Sequence, residues 1–213
     1  MFVKSIMLSK NSSITVEAEE ILQVALEKFE AHEIDGMPVL SNGKYYGIIT
    51  RFQIYKAFFS LSTGQSKEEF VTKTKIKEIA TCKDIYLDGE EVFEKTLIML
   101  KDLPVLAVID KEQHFLGTVT RSDVLEHFRS AFGMNKKGIR IAFTSVETEG
   151  RIAKLAEIAK SYHEQIISLV TFDETDKLIR RIVIKVAEND NIDKFVNKLE
   201  SSGFRVLSIN KDL

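Results

Sequence analysis

Gly117-Thr118-Val119-Thr120-Arg121-Ser122-Asp123 decides how this chain is read, because an earlier copy, Gly47-Ile48-Ile49-Thr50-Arg51-Phe52-Gln53, lies 70 residues upstream. Each copy reads as a short apolar strand that runs into a Thr-Arg turn and then a helix. A hydroxyl, a cation and free helix N–H groups converge at such a junction, and that combination suits a phosphorylated ligand. Asp123 adds a carboxylate able to accept from two neighbouring hydroxyls, as on a ribose. The earlier copy has Gln53 in that place. One copy is chemically complete and the other altered. A plainer reading stands beside this one, since Thr120 and Asp123 are residue types that cap helices without any ligand.

Working outward, the first repeat opens with the β-branched run Ser13-Ile14-Thr15-Val16, followed by Glu17, Glu19 and Glu20, which favour a helix start. Ile21, Leu22, Ala25, Leu26 and Phe29 recur at helical spacing. The segment from His32 to Gly36 ends that helix. Met37 to Leu40 reads as a strand, Ser41-Asn42-Gly43-Lys44 as a hairpin turn, and Tyr45 to Thr50 as the returning strand. Residues 63–75 form a polar connection, a loop or a short helix. In the second repeat Ile85-Tyr86-Leu87 supplies the strand, and Val92, Phe93, Thr96, Leu97 and Leu100 the helix face. The next strand can be aligned by matching either Pro104 or Ala107 to Pro38; the Ala107 register keeps the spacing to the following glycine nearly equal and is preferred. A turn at Asp110-Lys111-Glu112-Gln113 leads into Phe115 to Thr120, and Val124, Leu125 and Phe128 open the last helix face.

These repeats resemble a tandem pair of cystathionine-β-synthase (CBS) domains, a Bateman module. The resemblance rests on the strand–helix–strand–strand–helix order and on the Gly-x-x-Thr-x-x-Asp pattern at Gly117 to Asp123, with its partial copy after Pro38. It implies a pseudo-twofold pair with two clefts that take adenine nucleotides. The complete cleft then combines Thr120, Arg121, Ser122 and Asp123 with Ser12, Ile14, Ile34 and Gly36. The second would use Thr50 and Arg51 with the loop around Leu103 to Leu106, but Gln53 departs from the family's aspartate. One competent nucleotide site per chain is expected.

Gly133 to Gly138 marks a boundary by its glycines and polar character. Beyond it, Ile139 to Phe143 reads as a strand and Ile152, Leu155, Ala156, Ile158 and Ala159 as a helix face. Ile166 to Phe172 and Leu178 to Ala187 read as strands joined by a turn at Asp173 to Asp176. Ile192, Phe195, Val196 and Leu199 define a helix ended by Ser202-Gly203, and Phe204 to Ile209 closes the sheet. The order βαββαβ is ferredoxin-like. Its position after a CBS pair resembles that of an ACT domain, a family that binds amino acids near its first strand–helix loop, here Ser145 to Gly150. Glu147 and Glu149 depart from the loop often seen there, so a packing and dimerisation module is the favoured reading. The whole arrangement resembles the acetoin-utilisation (AcuB-like) proteins and the bacterial CBS proteins that bind cyclic di-AMP.

The expected fold class is therefore α+β, with CBS repeats at 1–62 and 76–133, a linker at 63–75 and an ACT-like domain at 138–213. The resemblance implies a non-catalytic regulatory sensor and a homodimer, with cyclic di-AMP as leading ligand and AMP, ADP or ATP behind it. The alternative is an interaction protein with vestigial clefts and an amino-acid-binding ACT domain. A formal net charge of −2 gives no electrostatic footprint for DNA, RNA or an anionic membrane. His32, His114, His127 and His163 form no His-x-x-x-His pair, and the single cysteine, Cys82, excludes an internal disulfide. Neither a metal site nor an enzyme is expected: Walker, Gly-x-Gly-x-x-Gly and Gly-x-Ser-x-Gly patterns are missing, and no nucleophile–base pair stands out. The N-terminus has no signal-peptide character and no window reaches ~20 apolar residues, so a cytoplasmic protein is expected.

Overall fold

A computed structural model describes residues 2–61, 64–146, 148–174 and 178–211. Backbone contacts divide the chain into two compact units, Met1–Leu125 and Glu126–Leu213.

The first unit opens with a short 3-10 turn at Val3–Ser5, then β1 (Leu8–Ser9), β2 (Val16–Glu17), α1 (Leu22–Ala31), β3 (Gly36–Ser41), β4 (Lys44–Thr50) and α2 (Arg51–Leu61). It continues through α3 (Lys67–Lys73), α4 (Ile76–Ile79), α5 (Lys95–Met99), β5 (Val105–Ile109) and β6 (Phe115–Thr120) to α6 (Arg121–Ala131), which crosses the boundary. The β3–β4 hairpin turns through Asn42 and Gly43 with φ of 54° and 77°, the paired positive values an Asn-Gly turn supplies. Within the polar connection, Ser66 caps α3 by accepting from the Glu69 N–H at 3.1 Å.

The strands form two three-stranded sheets, β2-β3-β4 and β1-β6-β5. The second sheet takes its outer strand from the first repeat, because Leu8 pairs with Thr118 and Ser9 with Gly117. Reciprocally, Thr81 from the second repeat's lead-in bridges to Ile48. Both crossings need a glycine beneath them. A Cβ on Gly117 would lie 2.1 Å from the Leu8 carbonyl oxygen, and one on Gly47 would lie 2.6 Å from that of Thr81. The two sheets share a core of Leu40, Tyr45 and Ile48 against Val105, Ala107, Ile109 and Phe115, with the half-buried Cys82 packed beside it. Burial holds the Tyr45 phenol protonated well above its ordinary value, and its hydroxyl donates to the Cys82 and Ile85 carbonyls at 2.8 and 2.9 Å.

The registers settle the alignment of the repeats. Pro38 faces Ile48 and Val39 faces Gly47, while Ala107 faces Thr118 and Val108 faces Gly117. Ala107 is thus the counterpart of Pro38, as the spacing suggested.

Three expectations for the second repeat need correction. Ile85 to Leu87 forms no strand; only Leu87 joins the sheet, by a single parallel bridge to Val108. The helix face expected from Val92 to Leu100 shrinks to five residues, with Val92 and Leu97 exposed. The cause is a turn just before it. The Glu91 carboxylate accepts from the Asp88 and Gly89 N–H groups, the Asp88 carboxylate accepts from the Glu90 N–H, and Gly89 adopts φ 85°. Leu125 on α6 is likewise exposed, not core.

The second unit contains β7 (Ile139–Val146), α7 (Arg151–Ser161), β8 (Ile166–Glu174), β9 (Ile179–Val186), α8 (Ile192–Ser201) and β10 (Arg205–Lys211). Its antiparallel sheet has the order β10-β7-β9-β8, the ferredoxin-like arrangement expected from βαββαβ. Ile141, Phe143, Ile182 and Ile184 on one sheet face pack with Leu155, Ile158, Phe195 and Leu199 of the helices. Ile152 and Ala156, assigned by spacing to the α7 core face, are exposed. α8 ends at Ser202-Gly203, with Gly203 at φ 85°. Of the expected turn at Asp173 to Asp176, residues 175 and 176 lie outside the described residues, and β8 itself runs on through Asp173 to Glu174. Among the described residues no helix is long and apolar enough to cross a membrane.

Candidate functional site

Each Thr-Arg junction is built as a capping box. Thr120 precedes α6, and its hydroxyl accepts from the Asp123 N–H at 3.2 Å. The Asp123 carboxylate answers through Oδ2, which accepts from the Thr120 N–H at 2.8 Å and from its hydroxyl at 2.7 Å. Both bonds to the carboxylate use that one oxygen, and Oδ1 takes part in neither. At the other junction Gln53 performs the same service. Its N–H donates to the Thr50 hydroxyl at 3.1 Å, and its side-chain Oε1 accepts from the Thr50 N–H at 2.8 Å. The difference lies in the remaining atom, because Gln53 Nε2 donates to the Thr81 hydroxyl. Asp123 offers an acceptor beyond its capping role, whereas Gln53 carries a donor already tied to the opposite repeat.

The two arginines are positioned by loops of their own repeats. Arg121 Nε donates to the Leu100 carbonyl at 2.7 Å and Nη2 to that of Lys101 at 3.1 Å. Arg51 pairs with Glu30, lies 3.5 Å from Asp35 and donates to the Ile34 carbonyl at 3.3 Å. Their first role is to fasten the loop ahead of β3 or β5 to the start of the following helix.

Of the other residues singled out by sequence, Ser122 is exposed on the first turn of α6. Ser12 lies just after β1, with its hydroxyl 3.3 Å from that of Ser9. Its neighbour Ser13 reaches β6, the Ser13 and Thr118 hydroxyls lying 3.0 Å apart. Ile14 and Ile34 are half-buried against the first repeat's core. Gly36 lies under Pro104 and Thr50, where a Cβ would meet the Pro104 ring at 2.6 Å.

A cavity of about 540 Å³ opens at the Gln53 junction, lined by Thr50, Gln53, Lys56, Thr81, Asp102 and Leu103 among others. Lys56, Thr81 and Asp102 had not been singled out. Lys56 was readable, since it stands three residues beyond Gln53 on the same helix face. Thr81 was not, because its place depends on the exchange of lead-in segments between the repeats. A neighbouring cavity of about 460 Å³ touches both arginines, Arg51 and Arg121.

The ligand atoms of Asp110, Glu112 and His114 come within 4.8 Å of one another at an exposed hairpin tip. Asp110 organises that turn by accepting from the Glu112 and His114 N–H groups at 2.9 and 2.8 Å, which accounts for the cluster without a metal.

Comparison with known proteins agrees with the two-repeat fold of the first unit. A CBS domain-containing protein of Dictyostelium discoideum is 29% identical over 125 residues, covering 56% of this chain and 86% of that one. The crystal structure of CbpB in complex with c-di-AMP matches with a TM-score of 0.52 at 18% identity, over 61% of this chain and 85% of that one. CBSX2 in complex with AMP matches with a TM-score of 0.51 at 16% identity, over 60% and 95%. The CBS-domain family model matches residues 3–60 and 76–130, one copy on each repeat. With two matched copies over more than half its length, the chain belongs to the CBS-domain family.

Proposed function

We propose that this protein is a non-catalytic regulatory sensor that binds an adenine nucleotide in the cleft headed by Thr120 and Asp123. Cyclic di-AMP is the favoured ligand, followed by AMP, ADP and ATP. The observation that carries this reading is the asymmetry of the two capping boxes. Asp123 keeps an acceptor oxygen beyond its cap, the chemistry that ribose hydroxyls require, while Gln53 spends its amide on Thr81.

The reciprocal pairing of the repeats supports the rest of the cleft. Leu103 and Thr81 line the cavity beside Thr50. By the strand registers Ile34 is the counterpart of Leu103, and Leu8, which leads into the segment carrying Ser12, is the counterpart of Thr81. The same construction around Thr120 would therefore bring in Ile34 and the Ser12 segment. Proteins of the same fold hold c-di-AMP and AMP. A Thr120→Ala, Asp123→Ala double variant that stays folded is expected to lose nucleotide affinity, and unchanged affinity by calorimetry would sink the assignment. The reading includes a homodimer, which sedimentation at the monomer mass would contradict.

A second reading has one observation in its favour. A cavity of about 340 Å³ lies beside the first strand–helix loop of the second unit, lined by Ser145, Thr148, Gly150, Arg151 and Thr171 among others. An amino-acid site of the ACT type would sit there. Arg151, however, is already committed to Ser145 and to the Ser202 and Gly203 carbonyls.

A further inference from the structure

The sheet of the second unit has a face turned away from α7 and α8, and the strand registers set a row of polar residues across it. Asn210 pairs with Arg140, Arg140 with Lys185, and Lys185 with Ser168, so one residue from each strand stands in line. Residues directly opposite in an antiparallel ladder share a face, and like charges so placed repel. Arg140 and Lys185 are such a pair. The adjoining row along the strands is apolar, with Ala142, Val183 and Val170 in register.

The turn that follows α6 closes over this boundary between donors and hydrocarbon. Ser168 donates to the Phe132 carbonyl at 2.9 Å, and Lys185 Nζ donates to the Gly133 carbonyl at 2.9 Å. A Cβ on Gly133 would meet Ile167 at 2.6 Å, so the turn sits hard against the sheet. Between turn and sheet is a cavity of about 250 Å³. Phe132 and Met134 wall it, Val170 and Val183 floor it, and Arg140 and Lys185 line its polar end. Lys185 is only 6% exposed.

We propose that this cavity binds a small organic monocarboxylate. Its carboxylate lies between Lys185 and Arg140, and its compact hydrocarbon body rests on Val170 and Val183 beneath Phe132 and Met134. A carboxylate placed there can accept from both an ammonium and a guanidinium, and a guanidinium matches a planar carboxylate in shape. The apolar walls favour an acid with a hydrocarbon body over a bare inorganic anion, which would leave them uncovered. The site is separate from the Thr-Arg junctions and from the Ser145 to Gly150 loop.

The test is calorimetric titration of the full chain with acetate, isovalerate and phenylacetate, with isovaleramide as neutral isostere and inorganic phosphate as bare anion. At least one acid with a hydrocarbon body binds, the amide does not, and the exposed Arg140→Gln substitution weakens binding about tenfold or more. Lys185→Met, checked for folding by circular dichroism, weakens it further; Arg140→Gln keeps the test decisive should that variant misfold. The proposal is overturned if no acid binds, if phosphate alone binds, if amide and acid bind alike, or if Arg140→Gln leaves affinity unchanged.

Discussion

Gly117 and Gly47 matter less for backbone freedom than for what passes over them. Alanine at Gly117 would drive its Cβ into the backbone of Leu8, and neither strand can yield without loosening the crossing. Gly117→Ala is expected to destabilise the protein by about 2 kcal/mol or more in chemical denaturation. Gly43→Ala meets no neighbour within 4 Å and carries only the strain of φ 77°, so about 1 kcal/mol is expected there. Equal costs at the two positions would contradict this account of the crossing. Glu164 is a second residue whose behaviour follows from its surroundings. It is buried, its Oε2 accepts from Asn189 at 2.7 Å, its Oε1 has no hydrogen-bond partner, and desolvation raises its pKa above the ordinary 4.5. The folded chain then holds a proton that the unfolded chain has already released. Stability must fall as pH rises from the ordinary carboxylate range through the raised value, and flatten above it. Glu164→Gln should remove that slope and stabilise the protein at neutral pH by about 1 kcal/mol; a variant less stable than wild type at pH 7 would refute the assignment. Sequence marked Gly117 as the head of a motif, but the carbonyl above it comes from more than 100 residues away. Glu164 gave no signal at all, because burial of a charged residue after a helix leaves no trace in periodicity.

At the scale of elements, Arg151 shows how one side chain can fix a helix, a strand and a turn together. From the first residue of α7 it donates to Ser145 at the end of β7 at 2.6 Å and to Gly203 before β10 at 2.8 Å, with its guanidinium 4.0 Å from the Phe204 ring centroid. Arg151→Met should cost about 2 kcal/mol, since it loses the fork and leaves those partners without it. Arg151→Lys should recover only part, because an ammonium cannot span both sides. Full recovery by lysine would show that charge alone matters. The sequence revealed the elements of both units where periodicity was strong, including the β3–β4 turn through Asn42-Gly43 and the close of α8 at Gly203. It misled where a local turn intervened. The apolar spacing from Val92 to Leu100 looked helical throughout, yet the Glu91 carboxylate holds the chain in a turn first and α5 starts only at Lys95. Ile152 and Ala156 show the complementary error, helical spacing that continues onto an exposed face.

For the whole molecule, the central feature is that duplication has not preserved equivalence. Both repeats keep the strand–turn–helix junction, both cap it reciprocally and both borrow a segment from the other. Only Asp123 retains an oxygen outside its cap, while the cavity at Gln53 is lined by residues whose amide and hydroxyl partners already bind one another. The motif and its altered copy were readable from the chain alone. The Thr81 contact that ties up Gln53 was not, because it depends on the exchange of segments between repeats. The most direct measurement is calorimetric titration of the full chain with cyclic di-AMP, AMP, ADP and ATP, repeated with Asp123→Ala and with Gln53→Ala. The account predicts that one of these nucleotides binds the wild type at micromolar concentration or tighter, that Asp123→Ala abolishes the binding, and that Gln53→Ala retains it. Silence from all four, or binding that survives Asp123→Ala and disappears with Gln53→Ala, would contradict it.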